Sequence, residues 1–159
     1  MKLKDAVEQI EVRFGHVWAA VEPARLVEVV QTLKEDPDLD CNYLTFLSAI
    51  DWEDAGFELV VMVYSFSRHA TVGLKVPVPK DNPVVPSITG VYGGANWHER
   101  ECKEMFGIEF EGHPNPKGLY LPEDFEGHPL LKSFRLASRT FKPWPGAKDP
   151  SEAAGGGRG

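Results

Sequence analysis

The amino-acid sequence predicts an α+β fold in which two N-terminal helices precede a mostly antiparallel sheet of about four strands, followed by a further capped helix and an extended C-terminal arm. Three runs rich in β-branched and aromatic residues lie in the middle of the chain, separated by short turn signals such as EDAG and SRHA. Such short links favour antiparallel hairpin partners over parallel strands, which need long crossovers. Helical patterns flank these runs, and the last third of the chain is rich in proline and glycine.

Two helices are predicted ahead of the sheet. Apolar residues recur at helical spacing over residues 1–14, and Gly15 is placed to end this first helix. The following HVWAAVE is a candidate short strand. Pro23 is suited to the first turn of the second helix, which has a broad apolar face and is bounded by Pro37.

The later elements are predicted in the same way. The three strands are NYLTFLSAIDW, FELVVMVYSF and ATVGLKVPVP, and a turn or short helix is expected at residues 88–92. Asn96 is placed to cap a third helix over residues 97–106, because Glu99 lies three residues further on, as in a capping box. Gly107 then occupies a position where a left-handed residue commonly ends a helix.

These patterns divide the chain into three parts. We expect an α+β domain over residues 1–106, an extended partner-binding arm over residues 107–150 and a flexible tail over residues 151–159. The arm is rich in proline and glycine and shows little periodicity. Its apolar stretch at residues 119–125 has few ladder partners of its own, so it is expected to pack on a partner surface.

Composition and charge exclude several classes of protein. The 159 residues have a formal net charge of −7, which argues against a general nucleic-acid binder because such proteins need a basic face. No apolar run approaches the ~20 residues of a transmembrane helix, and the N-terminus lacks the apolar core of a secretory signal. Cys41 and Cys102 stand far apart with no CxxC motif, so the thiols of this chain alone are not expected to hold an iron–sulfur cluster or zinc.

Motifs for nucleotide binding or hydrolysis are absent, since the chain has no GxGxxG, Walker A, GxSxG or HExxH pattern. The third helix is highly charged. Within it, Glu99 with Lys103 and Arg100 with Glu104 form i,i+4 pairs of opposite charge. One interpretation is a solvated helix face. The other is that Arg100 and a glutamate are buried ion-pair members at a subunit interface, where such groups must be paired.

The tetrapeptide EGHP occurs twice, at residues 111–114 and 126–129. The proline after His113 and after His128 favours extended backbone geometry, and the glycine before each lets the chain arrive from many directions. Each EGHP is therefore predicted to be a rigid elbow whose imidazole hydrogen-bonds a backbone or carboxylate group. The alternative is a metal site in a stand-alone metal-dependent enzyme, for which only acidic residues are available to complete the ligand set.

Charge is unevenly distributed in the last third of the chain. Residues 99–126 contain eight acidic and three basic residues, whereas residues 130–159 contain six basic and two acidic ones. Bases alternate with aromatic residues in KSFRLASRTFKPWPG, a pattern that an RNA-binding adaptor could use. The acidic total and the absence of an RNP-like motif favour an acidic protein surface as the partner instead.

Residues 97–134, WHERECKEMFGIEFEGHPNPKGLYLPEDFEGHPLLKSF, closely resemble the signature of the 30-kDa-type subunit of respiratory complex I, also called the C subunit of the proton-translocating NADH:quinone oxidoreductase. The shared pattern is E-R-E, an acid before M-F-G-I, then G-H-P, L-P-E-D and G-H-P-L with a basic residue. The resemblance implies that the subunit interface is formed by Trp97, Glu99, Arg100, Glu101, Phe106, Gly107, Gly112, His113, Pro114, Leu121, Pro122, Glu123, Asp124, Gly127, His128, Pro129, Leu130 and Lys132.

The resemblance also implies a structural subunit of the hydrophilic arm that binds no cofactor itself. NAD, FMN, iron–sulfur clusters and quinone would be bound by partner subunits. The main partners would be the quinone-site large subunit and the terminal iron–sulfur subunits, with no nucleic acid. The chain would lie on the cytoplasmic side of the cell membrane as a peripheral component, in indirect contact with the membrane.

Six positions depart from the family pattern, namely Lys103, Glu104, Lys117, Gly118, Leu131 and Ser133. Several of them replace arginines of the pattern, which removes part of its capacity for bidentate arginine contacts. An equivalent subunit of a membrane-bound hydrogenase, or of an F420H2- or ferredoxin-linked complex, is therefore an alternative assignment.

Overall fold

The computed structural model describes residues 7–136, which form seven strands and two α-helices. The strands are β1 (Ile10–Arg13), β2 (His16–Ala20), β3 (Tyr43–Asp51), β4 (Phe57–Ser65), β5 (Ala70–Val78), β6 (Val84–Pro86) and β7 (Glu109–Glu111). The helices are α1 (Leu26–Glu35) and α2 (Ala95–Phe106). Neither of these two helices is long and apolar enough to cross a bilayer.

A five-stranded sheet in the order β1-β2-β5-β4-β3 is the centre of the fold. All neighbours in it are antiparallel except β2 and β5, which are parallel. The prediction of an α+β fold with a mostly antiparallel sheet is therefore confirmed. A separate pair of parallel strands, β6 and β7, was not predicted, because three-residue strands are too short to show a recognisable pattern.

The predicted first helix is wrong where the structure describes it. Residues 10–13 form β1, and residues 1–6 lie outside the described part of the chain. Phe14 and Gly15 have φ of 52° and 78°, which is the left-handed geometry of a two-residue hairpin turn between β1 and β2. Apolar and charged residues alternate through IEVR, so the period of two prevails over the helical spacing. Between residue 7 and the start of β3, the structure thus has one α-helix.

The second predicted helix is present. Pro23–Arg25 form a short 3₁₀ turn, α1 follows directly, and Pro37 lies two residues beyond its end. One face of α1 is buried and contributes to the core together with the inward-facing residues of β4 and β5. The buried residues of α1 are Leu26, Val29, Val30 and Leu33.

Helix α2 begins earlier than predicted and without the predicted cap. Its first residue is Ala95, Gly94 precedes it with no side-chain cap, and Asn96 lies inside the first turn. The capping-box interpretation is wrong because Glu99, its acidic member, is fully buried and bonded elsewhere. Gly107 ends the helix as predicted, with φ 79° and its N–H donating to the carbonyl of Lys103 at 3.0 Å. Residues 88–92 form a turn.

The chain after α2 remains part of the same core before it becomes irregular. Ile108 and Phe110 are buried. Strand β7, which follows α2 in the sequence, pairs with β6, which precedes α2. We call residues 112–134, which follow β7 and contain no further helix or strand, the strap. Residues 137–150 of the predicted arm and the predicted tail, residues 151–159, lie outside the described residues. The domain boundary at residues 106 and 107 remains a prediction.

Close packing of Trp18 on the backbone of Gly73 joins β2 to β5. The two residues are paired in register, and a Cβ added at position 73 would overlap the Trp18 ring. We expect Gly73→Ala to lower the free energy of unfolding by about 1–3 kcal/mol, because overpacking has that cost. Urea denaturation measures it.

Gly90→Ala is the matched control, since a Cβ there meets no atom within 4 Å. Combining Gly73→Ala with Trp18→Leu should restore part of the loss, because the smaller side chain leaves room for the added methyl group. Equal effects of the two glycine substitutions would contradict the prediction.

Candidate functional site

Helix α2 binds the backbone of the strap through two side chains one turn apart. Arg100 Nε donates to the carbonyl of Lys117 at 2.7 Å, and Arg100 Nη2 donates to the carbonyl of Gly118 at 2.6 Å. Glu104 accepts three backbone N–H groups from the next residues of the strap. Its partners are Leu119 at 3.1 Å, Tyr120 at 2.8 Å and Leu121 at 3.1 Å.

The predicted i,i+4 ion pairs within α2 are therefore wrong. Glu99 is buried away from Lys103, which instead forms an ion pair with Glu109 at 2.8 Å. Arg100 and Glu104 bond the strap backbone. This arrangement prevails because exposed i,i+4 pairs contribute only ~0.2–0.5 kcal/mol, whereas strap N–H and C=O groups without a ladder need partners.

The pKa of Glu104 reflects its position against the strap. Partial burial raises it, but the N–H groups of Tyr120, Leu121 and Leu119 and the charge of Arg100 outweigh that effect, so the pKa lies below its ordinary value. Hydrogen bonds to the ionised form stabilise a carboxylate in this way. The strap is thus held by a carboxylate that remains charged at neutral pH.

The first elbow is fastened to the start of α2 by His113. Its Nδ1 accepts the N–H of Asn115 at 3.0 Å, so its Nε2 is the protonated nitrogen and donates to the carbonyl of Asn96 at 3.1 Å. The ring is only 2% exposed. The contact with Asn96 confirms the predicted imidazole–backbone hydrogen bond at this elbow.

Glu99 joins the same region to the loop before α2. Its carboxylate accepts the hydroxyl of Ser87 at 2.7 Å and the N–H of Ile88 at 2.8 Å, and it lies 3.9 Å from Nε2 of His113. Burial raises the pKa of Glu99 above its ordinary value, against the opposing effects of Ser87, Ile88 and His113. Glu99, the first glutamate of the E-R-E motif, is therefore buried and holds the loop before α2 by hydrogen bonds.

The second elbow caps the end of α2. His128 Nδ1 donates to the carbonyl of Glu104 at 2.8 Å, and the N–H of Leu130 donates to the carbonyl of Met105 at 3.1 Å. Two of the carbonyls that a helix leaves without partners at its C-terminus are thus satisfied by the strap. A Cβ at Gly107 would lie 2.8 Å from His128 Nε2, so this position needs glycine for space as well as for its positive φ.

The two histidines bind different places. Their carbonyl acceptors, on Asn96 and Glu104, are eight residues apart on one helix, or ~12 Å along its axis. Within residues 7–136, no group of three or more His, Cys, Asp or Glu side chains is placed to hold a metal ion. The geometry of the strap therefore gives no support to a shared His113–His128 metal site.

The end of the strap is held by hydrogen bonds to the end of β3. Asp51, the last residue of β3, accepts the N–H of Lys132 at 2.8 Å with one oxygen and the N–H of Glu53 at 2.8 Å with the other. Lys132 Nζ also donates to Glu53 at 3.2 Å and lies 5.9 Å from the Trp52 ring centroid. Burial raises the pKa of Asp51, but the two N–H groups and the charges of Lys80 and Lys132 lower it further, so it lies below its ordinary value.

The residues that the sequence singled out fall into three groups. Those that hold the strap or the core from inside are Glu99, Arg100, Phe106, Gly107, His113, His128 and Lys132. Those that are exposed are Trp97, Gly112, Pro114, Pro122, Glu123, Asp124, Gly127 and Leu130. Glu101, Leu121 and Pro129 are intermediate.

Sequence reasoning did not identify Glu104 and Asp51 as residues whose carboxylates hydrogen-bond the backbone of the strap. Glu104 was assigned to an intrahelical pair, and Asp51 lies 81 residues from its partner. One signal was available, because a long segment rich in proline and glycine must find acceptors for its backbone N–H groups outside any ladder. Side chains such as Glu104, next to the segment in sequence, are the first candidates.

The Glu104 contact predicts a local change in hydrogen exchange. Glu104→Gln should raise the exchange rates of the Leu119, Tyr120 and Leu121 amides about tenfold, equivalent to ~1.4 kcal/mol, because hydrogen bonds to a charged acceptor are lost. In the unmodified chain, the lowered pKa of Glu104 means that protection is present above the ordinary carboxyl pKa and is lost as the pH falls through the lowered value.

Glu101→Gln, which removes the same charge from the same helix, is the control for this measurement. Exchange is read by NMR as protection factors, which correct for the intrinsic pH dependence. If the three amides keep their protection in Glu104→Gln, the carboxylate does not hold the strap.

The buried Glu99 predicts a second, opposite pH effect. Its raised pKa means that its contribution to stability is greatest below the ordinary carboxyl pKa and declines as the pH rises through the raised value. Glu99→Gln, which imitates the protonated form, should therefore gain stability relative to the unmodified chain as the pH is raised from about 4, near the ordinary carboxyl pKa, to about 7. Glu99→Leu should lose about 1–3 kcal/mol because Ile88 N–H is left buried without an acceptor. Urea unfolding of each variant and of the unmodified chain at both pH values tests this. If the stability of Glu99→Gln relative to the unmodified chain falls as the pH rises, the prediction is contradicted.

Comparisons with known proteins agree with the motif. The family model for the respiratory-chain NADH dehydrogenase 30 kDa subunit matches residues 19–140. The C subunit of NADH-quinone oxidoreductase from Roseiflexus sp. (strain RS-1) is 44% identical over 126 residues, which cover 78% of this chain and 72% of the relative.

Two further matches extend the comparison. The C/D subunit of NADH-quinone oxidoreductase from Methylococcus capsulatus (strain ATCC 33009 / NCIMB 11132 / Bath) is 36% identical over 132 residues, or 77% of this chain and 22% of the relative. Among solved structures, the trypsin-resistant fragment (1-134) of Nqo5 superposes with a TM-score of 0.60 and 28% identity, covering 67% of this chain and 88% of that one. Most of the chain, including α2 and the strap, is matched by the family model, and the chain therefore belongs to the family of the 30-kDa subunit of respiratory-chain NADH dehydrogenase, complex I.

Proposed function

We propose that this chain is a cofactor-free structural subunit in the hydrophilic arm of a proton-translocating NADH:quinone oxidoreductase. Its strap docks on the neighbouring subunits, and electron transfer to quinone takes place in those neighbours, which bind NAD, FMN, iron–sulfur clusters and quinone. The chain has no independent activity in this role. It lies on the cytoplasmic side of the cell membrane as a peripheral component of the complex.

The observation that supports this role best is the direction in which the strap is held. Its backbone is bound from inside by Arg100 and Glu104, and some of its large side chains remain exposed on the outer side. Tyr120 is 63% exposed and Leu130 is 51% exposed, and Trp97 on α2 is 61% exposed. Large apolar and aromatic side chains that remain in water on an otherwise well-fastened segment mark a binding surface for another protein.

The fastening also lowers the cost of binding. A flexible arm would lose conformational entropy when it docks, at ~0.5–1.5 kcal/mol for each immobilised side chain and more for the backbone. The strap has already lost that freedom, because both elbows and its last turn are hydrogen-bonded to this chain. Two exposed carboxylates, Glu123 and Asp124, lie between the elbows and suit a partner surface with arginine or lysine.

The comparisons support a particular neighbour. The name of the Methylococcus capsulatus relative joins the C and D subunits, and this chain spans 22% of that protein's length. Subunits united in one protein are held at high local concentration, which suits surfaces that bind each other. We therefore propose that the strap faces a subunit of the D type, with the terminal iron–sulfur subunits nearby.

Substitutions on the outer face of the strap should block assembly without unfolding the chain. Tyr120→Asp combined with Leu130→Asp is expected to remove most of the chain from the purified complex, because buried aromatic anchors commonly contribute about 2 kcal/mol or more each. Native purification in mild detergent from cells that express the tagged chain, followed by identification of the co-purifying subunits, measures this. The same experiment identifies the electron donor, since a flavin-containing NADH-oxidising module and a nickel subunit are mutually distinguishable.

Phe14→Asp is the matched control. Phe14 is exposed, lies in the β1–β2 turn and has a positive φ that aspartate tolerates. That variant should assemble normally. A complex of normal size and quinone reductase activity containing the Tyr120→Asp/Leu130→Asp chain would refute the docking role of the strap.

A further inference from the structure

The five-stranded sheet has one face on the core and a second face that is apolar along β3 and β4. Side chains alternate between the two faces of a strand, and Leu59 and Val61 of β4 belong to the hydrophobic core together with residues of both α-helices. Val60 lies between them and is also buried, yet it is not part of that core cluster. It therefore belongs to the opposite face, which we call the outer face.

The register of β3 and β4 brings large side chains together on the outer face. Tyr43, Phe46 and Ile50 of β3 are each between 40% and 53% exposed, and they pair with the even-numbered residues of β4. Phe66 directly follows β4 and is exposed, and its ring centroid lies 5.0 Å from that of Tyr64. We call the following residues the apolar stripe: Tyr43, Phe46, Ile50, Val60, Met62, Tyr64 and Phe66.

The dimensions of the apolar stripe fit one α-helix. Two neighbouring strands are about 10 Å wide, which is the diameter of a helix with its side chains. From Tyr43 to Ile50 the stripe is about 20 Å long, the length of a helix of about 14 residues. The rest of the outer face is charged, since Lys75 Nζ donates to Glu11 at 2.9 Å and lies 5.4 Å from the Trp18 ring centroid. A second sheet would have to bury this ion pair, whereas a single helix would not.

A carboxylate at one end of the apolar stripe gives its occupant a second requirement. Glu58 lies on the outer face of β4, opposite Ile50 of β3 and Pro77 of β5, and it is half-buried. Within residues 7–136, no side chain forms an ion pair or hydrogen bond with it. A carboxylate among apolar side chains is stabilised when a lysine or arginine of the partner meets it.

We propose that the apolar stripe is a second docking surface of this chain, and that it binds an amphipathic helix of another subunit that carries a lysine or arginine opposite Glu58. Apolar residues of that helix at positions i, i+3, i+4 and i+7 lie over Phe46 and Met62, as in other helix-binding surfaces. The apolar stripe contains no residue of the strap. The proposal therefore goes beyond the docking role of the strap, and either can fail without the other.

Photo-cross-linking in the purified complex tests the occupant. A benzophenone amino acid in place of Phe46 should cross-link to a segment of another subunit that has apolar residues at helical spacing and a basic residue beside them, as read by peptide mass spectrometry. The same amino acid in place of Tyr120 reports the partner of the strap separately. If position 46 gives no cross-link, or reaches only residues 1–6 or 137–159 of this chain, the proposal is overturned, whatever position 120 gives.

Synthetic peptides test the pairing with Glu58 on the full chain. The probes are two labelled amphipathic helical peptides of about 14 residues, a length that spans the stripe, identical except for lysine or glutamate at one position beside the apolar face. In fluorescence anisotropy at low salt, the lysine peptide should bind about tenfold more tightly than the glutamate peptide. Glu58→Lys should reverse that preference. Glu35→Lys, on the exposed surface of α1, makes the same change in net charge and should preserve it.

The apolar contribution is tested with the same lysine peptide. Phe46→Asp should weaken binding about tenfold or more, because an aromatic anchor at the centre of the surface is lost. Phe14→Asp, at an exposed phenylalanine outside the apolar stripe, should bind as the unmodified chain does. Circular dichroism confirms that each variant is folded, and Glu58→Lys tests the surface without removing an apolar side chain. A lysine preference that survives Glu58→Lys, or binding that is unaffected by Phe46→Asp, would overturn the proposal.

Discussion

The backbone of the strap needs hydrogen-bond partners, and the structure around it is arranged to supply them. A segment with no helix and no sheet ladder leaves its N–H and C=O groups to be satisfied by water or by side chains. Here Arg100 and Glu104 act in place of a neighbouring strand. Arg100 donates to the carbonyls of residues 117 and 118, and Glu104 accepts the N–H groups of residues 119–121. Because these side chains are four residues apart, they lie on one face of α2 and reach the same stretch of chain.

The same requirement explains why the sequence motifs occur together. The end of α2 leaves carbonyls without partners, and His128 and Leu130 supply donors to two of them. That contact is possible because Gly107 leaves room for the His128 ring where any side chain would collide with it. The M-F-G and G-H-P motifs of the 30-kDa family are thus two halves of one helix cap. At the other end of α2, which has no side-chain cap, Glu99 binds the loop before the helix and His113 binds the carbonyl of Asn96.

Much of the fold could be predicted from the sequence, and the exceptions have physical causes. The strands β3, β4 and β5 and the left-handed Gly107 depend on local pattern and backbone preference, so they were found. Residues 10–13 were misassigned because four residues are too few to separate a period of two from helical spacing, and the turn that decides the matter involves a non-glycine residue, Phe14, with positive φ. For the site, the histidine elbows were predicted, with each imidazole hydrogen-bonded to a backbone or carboxylate group. The role of Asp51 could not be, because it depends on how the sheet brings distant residues together.

The hydrogen bonds that hold the strap also differ in the sequence separation between the two residues that they join. Those made by Arg100, Glu104 and His128 join residues 15 to 24 positions apart, whereas the one between Asp51 and Lys132 encloses 81. Closing a longer loop costs more chain entropy, and contacts of large sequence separation form slowly. During folding, α2 and the middle of the strap can therefore organise as a local unit, while the Lys132 end is secured only once β3 is in its place in the sheet. The hydrogen bond between Asp51 and Lys132 therefore makes the order of the strap's end depend on a complete sheet.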